Sequence, residues 1–148
     1  MPLSFQPATL STLATIVPMM SRLYAQDTLP FNADRARVAS EWLLARSDLG
    51  GIWLMEADGV AAGYIVLTVC ASLEFGGAFA LLDELYLEPE HRGRGLGVEA
   101  IDFAAAWARA RGMSALRLET AHDNLHAQSL YRKCGFIVHD RYLMTKPL

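Results

Sequence analysis

Hydrophobic and polar positions change period several times along the chain, and those changes divide it into elements. Residues 3–6 read as a short strand ended by Pro7. Over residues 9–26 apolar side chains recur near helical intervals at Leu10, Leu13, Ile16, Val17, Met20, Leu23 and Tyr24, and Pro18 is expected to kink or split that helix. Turn residues over 27–32 lead to a second helix expected at 33–47, with Val38, Trp42 and Leu43 directed inward. After Gly50-Gly51 the period becomes that of strands. Runs at 52–56 and 64–70 flank Ala57-Asp58-Gly59, a hairpin turn, and Gly76-Gly77 marks another turn before a strand at 79–87. These three runs predict an antiparallel meander. A helix after Gly97 then crosses to a strand at 115–120, a short helix runs from His122-Asp123-Asn124 to about Cys134, and residues 136–144 read as one or two closing strands.

This order predicts an α/β (α+β) fold in one domain over residues 1–148, a mixed, mostly antiparallel twisted sheet with helices on both faces. A chain of 148 residues can bury a sizeable core. Its 53% hydrophobic content is high for a soluble monomer, which either a homodimer or a well-filled core explains. The net charge of −3 argues against a nucleic-acid partner bound by broad phosphate neutralisation. Cys70 and Cys134 lack metal-ligand spacing and read as free thiols suited to a reducing cytoplasm. His91, His122, His126 and His139 have no metal spacing either; His91 and His126 read as surface residues and His122 as a turn residue. No metal, export leader or membrane span is expected.

The chemistry concentrates in residues 81–112. Asp83 and Glu84 interrupt an apolar strand, Leu81-Leu82-Asp83-Glu84-Leu85-Tyr86-Leu87, and a period of two puts them on opposite faces. Two carboxylates in a central strand are costly to bury unless paired or used. The loop Arg92-Gly93-Arg94-Gly95-Leu96-Gly97 follows, and then a helix whose apolar stripe is read as Val98, Ile101, Ala105 and Ala108, with Glu99 and Asp102 facing out. Glu99 near its start, Arg109 and Arg111 near its end, and Gly112 as its stop suit the helix dipole. Glycines before a helix start let an anion approach unpaired N–H groups, so the loop reads as a phosphate cradle. No Gly-Lys-Ser/Thr closes it, and Arg-x-x-Gly-x-Gly past mid-chain is not the dinucleotide fingerprint.

A second segment, Asn124-x-x-Ala127-x-x-Leu130-Tyr131-x-x-x-Gly135-Phe136, lies downstream. Together the two motifs resemble those of the GNAT superfamily of N-acetyltransferases at every fixed position. The resemblance implies that acetyl-CoA is the cosubstrate, without a metal. Its pyrophosphate would be held by Arg92, Gly93, Arg94, Gly95, Leu96, Gly97 and Val98, its pantetheine arm by the backbone of Leu85, Tyr86 and Leu87 and by Asn124. Asn124 also suits a helix N-cap.

Attack of an amine on a thioester sets three demands. An amine with pKa near ~10 must lose a proton at a cost of roughly 4 kcal/mol, the oxyanion needs donors, and the thiolate leaves more easily beside an acid. Glu84 is the expected base, directly or through water, and the resemblance makes Tyr131 the acid. Asp27, Glu74, Asp83 and Glu119 are candidates for attracting a cationic acceptor, with a small or polyamine-like amine favoured. A protein lysine or N-terminal amine is the alternative acceptor, and a non-catalytic acyl-CoA sensor the alternative class.

Overall fold

The computed structural model describes residues 2–148. Five strands form one sheet in the order β1 (Leu3–Pro7), β2 (Gly50–Ala57), β3 (Val60–Ser72), β4 (Gly77–Leu87) and β5 (Leu116–Arg117). The first four run antiparallel to their neighbours, and β5 runs parallel to β4. Asp58 and Gly59 both take positive φ, 54° and 76°, which is the turn geometry that matches strand twist in a two-residue hairpin. The parallel step to β5 is spanned by a helix, as such a crossover requires.

Helices cover both sheet faces. On one lies α3 (Leu96–Ala110), which buries Leu96, Ala100, Ala104, Trp107 and Ala108 against Met55, Ile65, Leu67 and Leu82. The other carries α1 (Leu13–Gln26) and α2 (Ala33–Leu44), whose Ile16, Met19, Met20 and Leu43 pack on Ile52, Leu54, Tyr64, Val66 and Tyr86. The final helix, α4, is Leu125–Lys133.

Several details depart from the periodicity. α1 begins at Leu13 rather than residue 9, because Thr9 and Thr12 exchange hydrogen bonds: each backbone N–H donates to the other's hydroxyl, at 2.8 and 3.3 Å. It continues through Pro18, whose ring lies on the solvent side. Val38 and Trp42 point outward, each 57% exposed, since α2 turns Ala36, Ser40 and Leu43 toward the sheet. On α3 Ile101 and Ala108 are buried as expected, together with Leu96, Ala100, Ala104 and Trp107, whereas Val98 is exposed and Ala105 only half-buried. Glu99 does not face out freely: its carboxylate accepts the Leu3 N–H at 2.7 Å and ties α3 to β1. The helix end behaves as expected, with the Arg111 guanidinium on the Trp107 carbonyl at 3.2 Å and Gly112 at φ 72°.

β5 is two residues long, and residues 136–144 form no strand. Ile137, Val138, Tyr142, Leu143 and Met144 are instead exposed. β-propensity describes fit to a paired, half-buried surface, so an apolar run without a partner edge does not make a strand.

The expected alternation along β4 fails at one place that matters. Val66 pairs with Glu84, and Leu67 with Leu82, so Asp83 is an extra residue, a bulge. Before it, Ala80 and Leu82 face α3. After it, Leu85 and Leu87 face α3 while Tyr86 packs with α1, and Glu84 reaches tyrosines on that side.

Candidate active site

Glu84 is the centre of the arrangement. Its Oε2 accepts a hydrogen bond from the Tyr24 hydroxyl at 2.6 Å and its Oε1 one from the Tyr64 hydroxyl at 2.7 Å. Tyr24 comes from α1 and Tyr64 from β3, so helix packing on the sheet assembles the clamp. Burial pushes the Glu84 carboxyl above its ordinary range, the two phenols oppose that shift, and the charges of Asp83 and Asp27 add to it. Both phenols are pushed up, by burial first and then by Glu84, and stay protonated. Asp83 sits at the bulge with part of its surface open to solvent and its carboxyl near enough to neighbouring protein that desolvation raises it.

The glycine loop joins the end of β4 to α3. Gly93 and Gly95 take left-handed φ of 71° and 79°, and Gly95 is the N-cap of α3. A Cβ on either would meet nothing within 4 Å, so backbone conformation, not crowding by the protein, is what requires glycine there. Gly97 is different: its Cβ would come within 3.0 Å of Leu130, and α4 packs against the start of α3 at this point. The Gly95 carbonyl accepts from the Val98 and Glu99 N–H groups at 3.1 and 3.3 Å. The earlier N–H groups, of Leu96 and Gly97, lie ahead of the helical ladder and suit an anion.

Arg92 makes contacts within the protein. Its Nε donates to the Leu87 carbonyl at 2.8 Å, Nη2 donates to Gln26 at 3.0 Å, and its guanidinium lies over the Tyr86 ring. It braces the loop against β4 and α1, while Arg94 stands exposed. β4 pairs with β5 only at Ala80 and Leu81, so its edge on that side has no strand partner from Leu82 to Leu87. The backbone of Leu85, Tyr86 and Leu87 therefore has an edge free for another extended group.

Asn124 caps α4, its side chain accepting the Ala127 N–H at 3.2 Å. Tyr131 lies on α4 with its ring edge-on to Phe136 at 5.7 Å. Burial raises its phenol, with the Asp27 and Cys134 charges adding. Asp27 caps the C-terminus of α1 and acts electrostatically on both Tyr131 and Glu84. Of the four acidic candidates, Asp27 and Asp83 thus belong with Glu84. Glu74 sits beyond the far end of β4, 3.9 Å from Arg141, and Glu119 is exposed past β5. His91 is half-buried rather than on the surface, with an unpartnered Nδ1, and His122 and His126 are exposed.

Tyr64 and Glu88 are polar residues of this region that periodicity does not single out, and it marks Tyr24 only as part of an apolar stripe. Glu88 pairs with Arg22 and accepts from the Tyr86 hydroxyl at 3.0 Å. One signal was present: a buried tyrosine needs a partner for its hydroxyl, and Tyr24 and Tyr64 both fall at apolar positions. The described residues include no group of His, Cys, Asp or Glu able to hold a metal ion, and no helix long and apolar enough to cross a membrane.

Comparison with known proteins agrees with this architecture. An aminoglycoside N-acetyltransferase solved with the bisubstrate analogue CoA-S-monomethyl-acetylneamine has the same fold, at TM-score 0.81 and 19% identity over 100% of this chain and 99% of that one. An integron cassette protein from the mobile metagenome of Cole Harbour Salt Marsh is 31% identical, with TM-score 0.85, over 97% of this chain and 90% of its own. Streptothricin acetyltransferase of Escherichia coli is 40% identical over 57 residues, 38% of this chain and 33% of that protein. The chain spans less than half the length of several curated relatives that it matches. The acetyltransferase (GNAT) family pattern matches residues 17–136, a span that takes in most of α1, the Glu84 clamp, the glycine loop and Tyr131, and the chain belongs to that family.

Proposed function

We propose that this protein transfers the acetyl group of acetyl-CoA to the primary amine of a small cationic acceptor, by direct attack in a ternary complex. The observation that carries the reading is the Glu84 carboxylate, gripped by two phenols beside a bulge in the strand that leads into the glycine loop. Acetyl-CoA supplies an activated thioester. The open left-handed glycines, the N–H groups at the start of α3 and the unpaired edge of β4 fit its pyrophosphate and pantetheine arm. Residues 92–98, Leu85, Tyr86, Leu87 and Asn124 would hold those parts.

Glu84 takes the amine proton. Its raised pKa makes its carboxylate a better base than an ordinary one. N–H groups freed by the Asp83 bulge are suited to stabilising negative charge on a carbonyl oxygen. Tyr131 keeps its proton at neutral pH, because its phenol is raised, and can deliver it to the departing sulfur. Asp27 and Asp83 favour a cationic acceptor over a neutral one. The relatives named for streptothricin and aminoglycoside acetylation support a small amine.

We place the enzyme in the cytoplasm, where Cys70 and Cys134 would stay reduced. We also propose that it works as a homodimer covering the exposed apolar residues of 137–144; sedimentation as a monomer at assay concentration would remove that part.

The activity is tested by release of CoA thiol from acetyl-CoA with spermine, neamine, phenethylamine and a lysine peptide. Turnover with spermine or neamine is expected. Turnover with the peptide alone would reassign the acceptor, and acetyl-CoA binding without turnover of any amine would make the protein a sensor.

A further inference from the structure

Glu84 has both carboxylate oxygens engaged, and the two engaging phenols differ in where they lie. Tyr64 is wholly buried in the face of the sheet, at 0% exposure, and leads nowhere. Tyr24 is half-buried at the end of α1 and lines an open cleft of about 390 Å³ with Pro30, Phe31, Asn32, Arg35 and Ala36. Its ring is held edge-on against Phe31 at 5.3 Å, which fixes the hydroxyl on Glu84 Oε2 at 2.6 Å. Tyr24 is therefore the one of the two phenols with a polar atom on the carboxylate and a surface on the cleft between α1 and α2.

We propose that Tyr24 is a catalytic proton relay: the acceptor amine gives its proton to Tyr24 Oη as the Tyr24 hydroxyl gives its own to Glu84 Oε2. This deepens the acetyltransferase reading and rests on it. The step balances. One amine N–H bond breaks, a new O–H bond forms on Tyr24, the old Tyr24 O–H breaks and a Glu84 O–H forms, so the tyrosine ends as it began and the proton rests on the carboxylate. The nitrogen lone pair left behind is the nucleophile.

The phenol is a relay and not a base in its own right, because burial and Glu84 keep it protonated. The charged groups facing the pair are Arg35 from α2, Asp27 at the end of α1 and Asp83 from β4. The two acids hold a cationic amine near Tyr24, and Arg35 opposes the rise in its phenol.

The test compares Tyr24→Phe, Tyr64→Phe and Glu84→Gln in the full chain, with acetyl-CoA and the four amines above, as pH profiles of kcat and KM. Each phenol lost removes a hydrogen bond that favours the carboxylate, so the acid limb of either variant moves to higher pH. The relay further requires that Tyr24→Phe lose about 10²-fold or more of kcat on the alkaline plateau, within the range for proton transfer by a positioned group. Acetyl-CoA affinity by calorimetry stays unchanged. Tyr64→Phe loses less than about tenfold there, and adding Tyr24→Phe to Glu84→Gln costs little more. A proton inventory on the wild-type protein in mixed light and heavy water needs no variant, and the relay predicts a curved plot from two protons in flight.

Equal plateau losses for the two tyrosine variants, or a linear inventory, would overturn the relay and leave Tyr24 a positioning residue, with the acetyltransferase reading intact. A wild-type protein silent toward every amine would overturn the parent reading and the relay with it.

Discussion

The two faces of the sheet are built from the same strands and differ in what they bury. Toward α3 lie Met55, Ile65, Leu67, Leu82, Ala104 and Trp107, a core free of ionisable side chains. Toward α1 and α2 the buried set includes Tyr64 and Tyr86, and Glu84 and Tyr24 lie at its margin. Burial of hydrocarbon is favourable wherever it occurs, but a buried carboxylate is tolerated only with donors around it. One face therefore supplies stability, and the other spends some of it on a group whose chemistry needs a low-dielectric site. The Asp83 bulge permits the division, because it shifts the parity of β4 and so sets Glu84 among the tyrosines.

That contrast can be broken from either side. The largest effect is expected from Glu84→Gln, which should lower kcat by about 10²–10⁴-fold yet raise the melting temperature at pH 7. The sign follows from linkage. Burial raises the carboxyl pKa in the folded state, so the folded chain binds the proton more readily than the unfolded one, and ionisation above that pKa costs stability. The cost falls away as pH drops from the raised pKa to the ordinary carboxylate range. Melting curves of variant and wild type should accordingly converge in acid, and a variant less stable than wild type at pH 7 would contradict the division of the two faces.

Met55→Ala, on the α3 side and 0% exposed, should do the reverse, costing about 2–5 kcal/mol in urea unfolding. Its kcat per folded molecule, assayed well below the melting temperature, should match wild type. Tyr131→Phe should lower kcat by about 10²-fold with acetyl-CoA affinity by calorimetry unchanged, and equal rates would remove Tyr131 from the reaction. The smallest effect is that of Asn124→Ala, which loses the cap on Ala127 and about 1 kcal/mol of stability. A large accompanying rise in the acetyl-CoA dissociation constant would show that Asn124 also touches the cosubstrate.

Much of this was readable along the chain. The strands of the meander, the long helix after the loop and the helix capped by Asn124 all fall where local period and cap residues put them, because those signals depend on neighbours within a few residues. The outward turn of Val38 and Trp42 was not readable, since an amphipathic pattern says which residues are apolar but not how a helix rolls on its sheet. Nor was the lack of strands over 136–144, which depends on an edge elsewhere in the fold.

By itself, the sequence determined the order of elements, the family motifs and the presence of a carboxylate pair in an apolar strand, all of them properties of contiguous residues. Only the tertiary structure decided that Glu84 would be clamped. Its partners lie 60 and 20 residues away in the chain, on elements whose meeting depends on packing, and the bulge that turns Glu84 toward them is a matter of register between two strands, which no local period encodes.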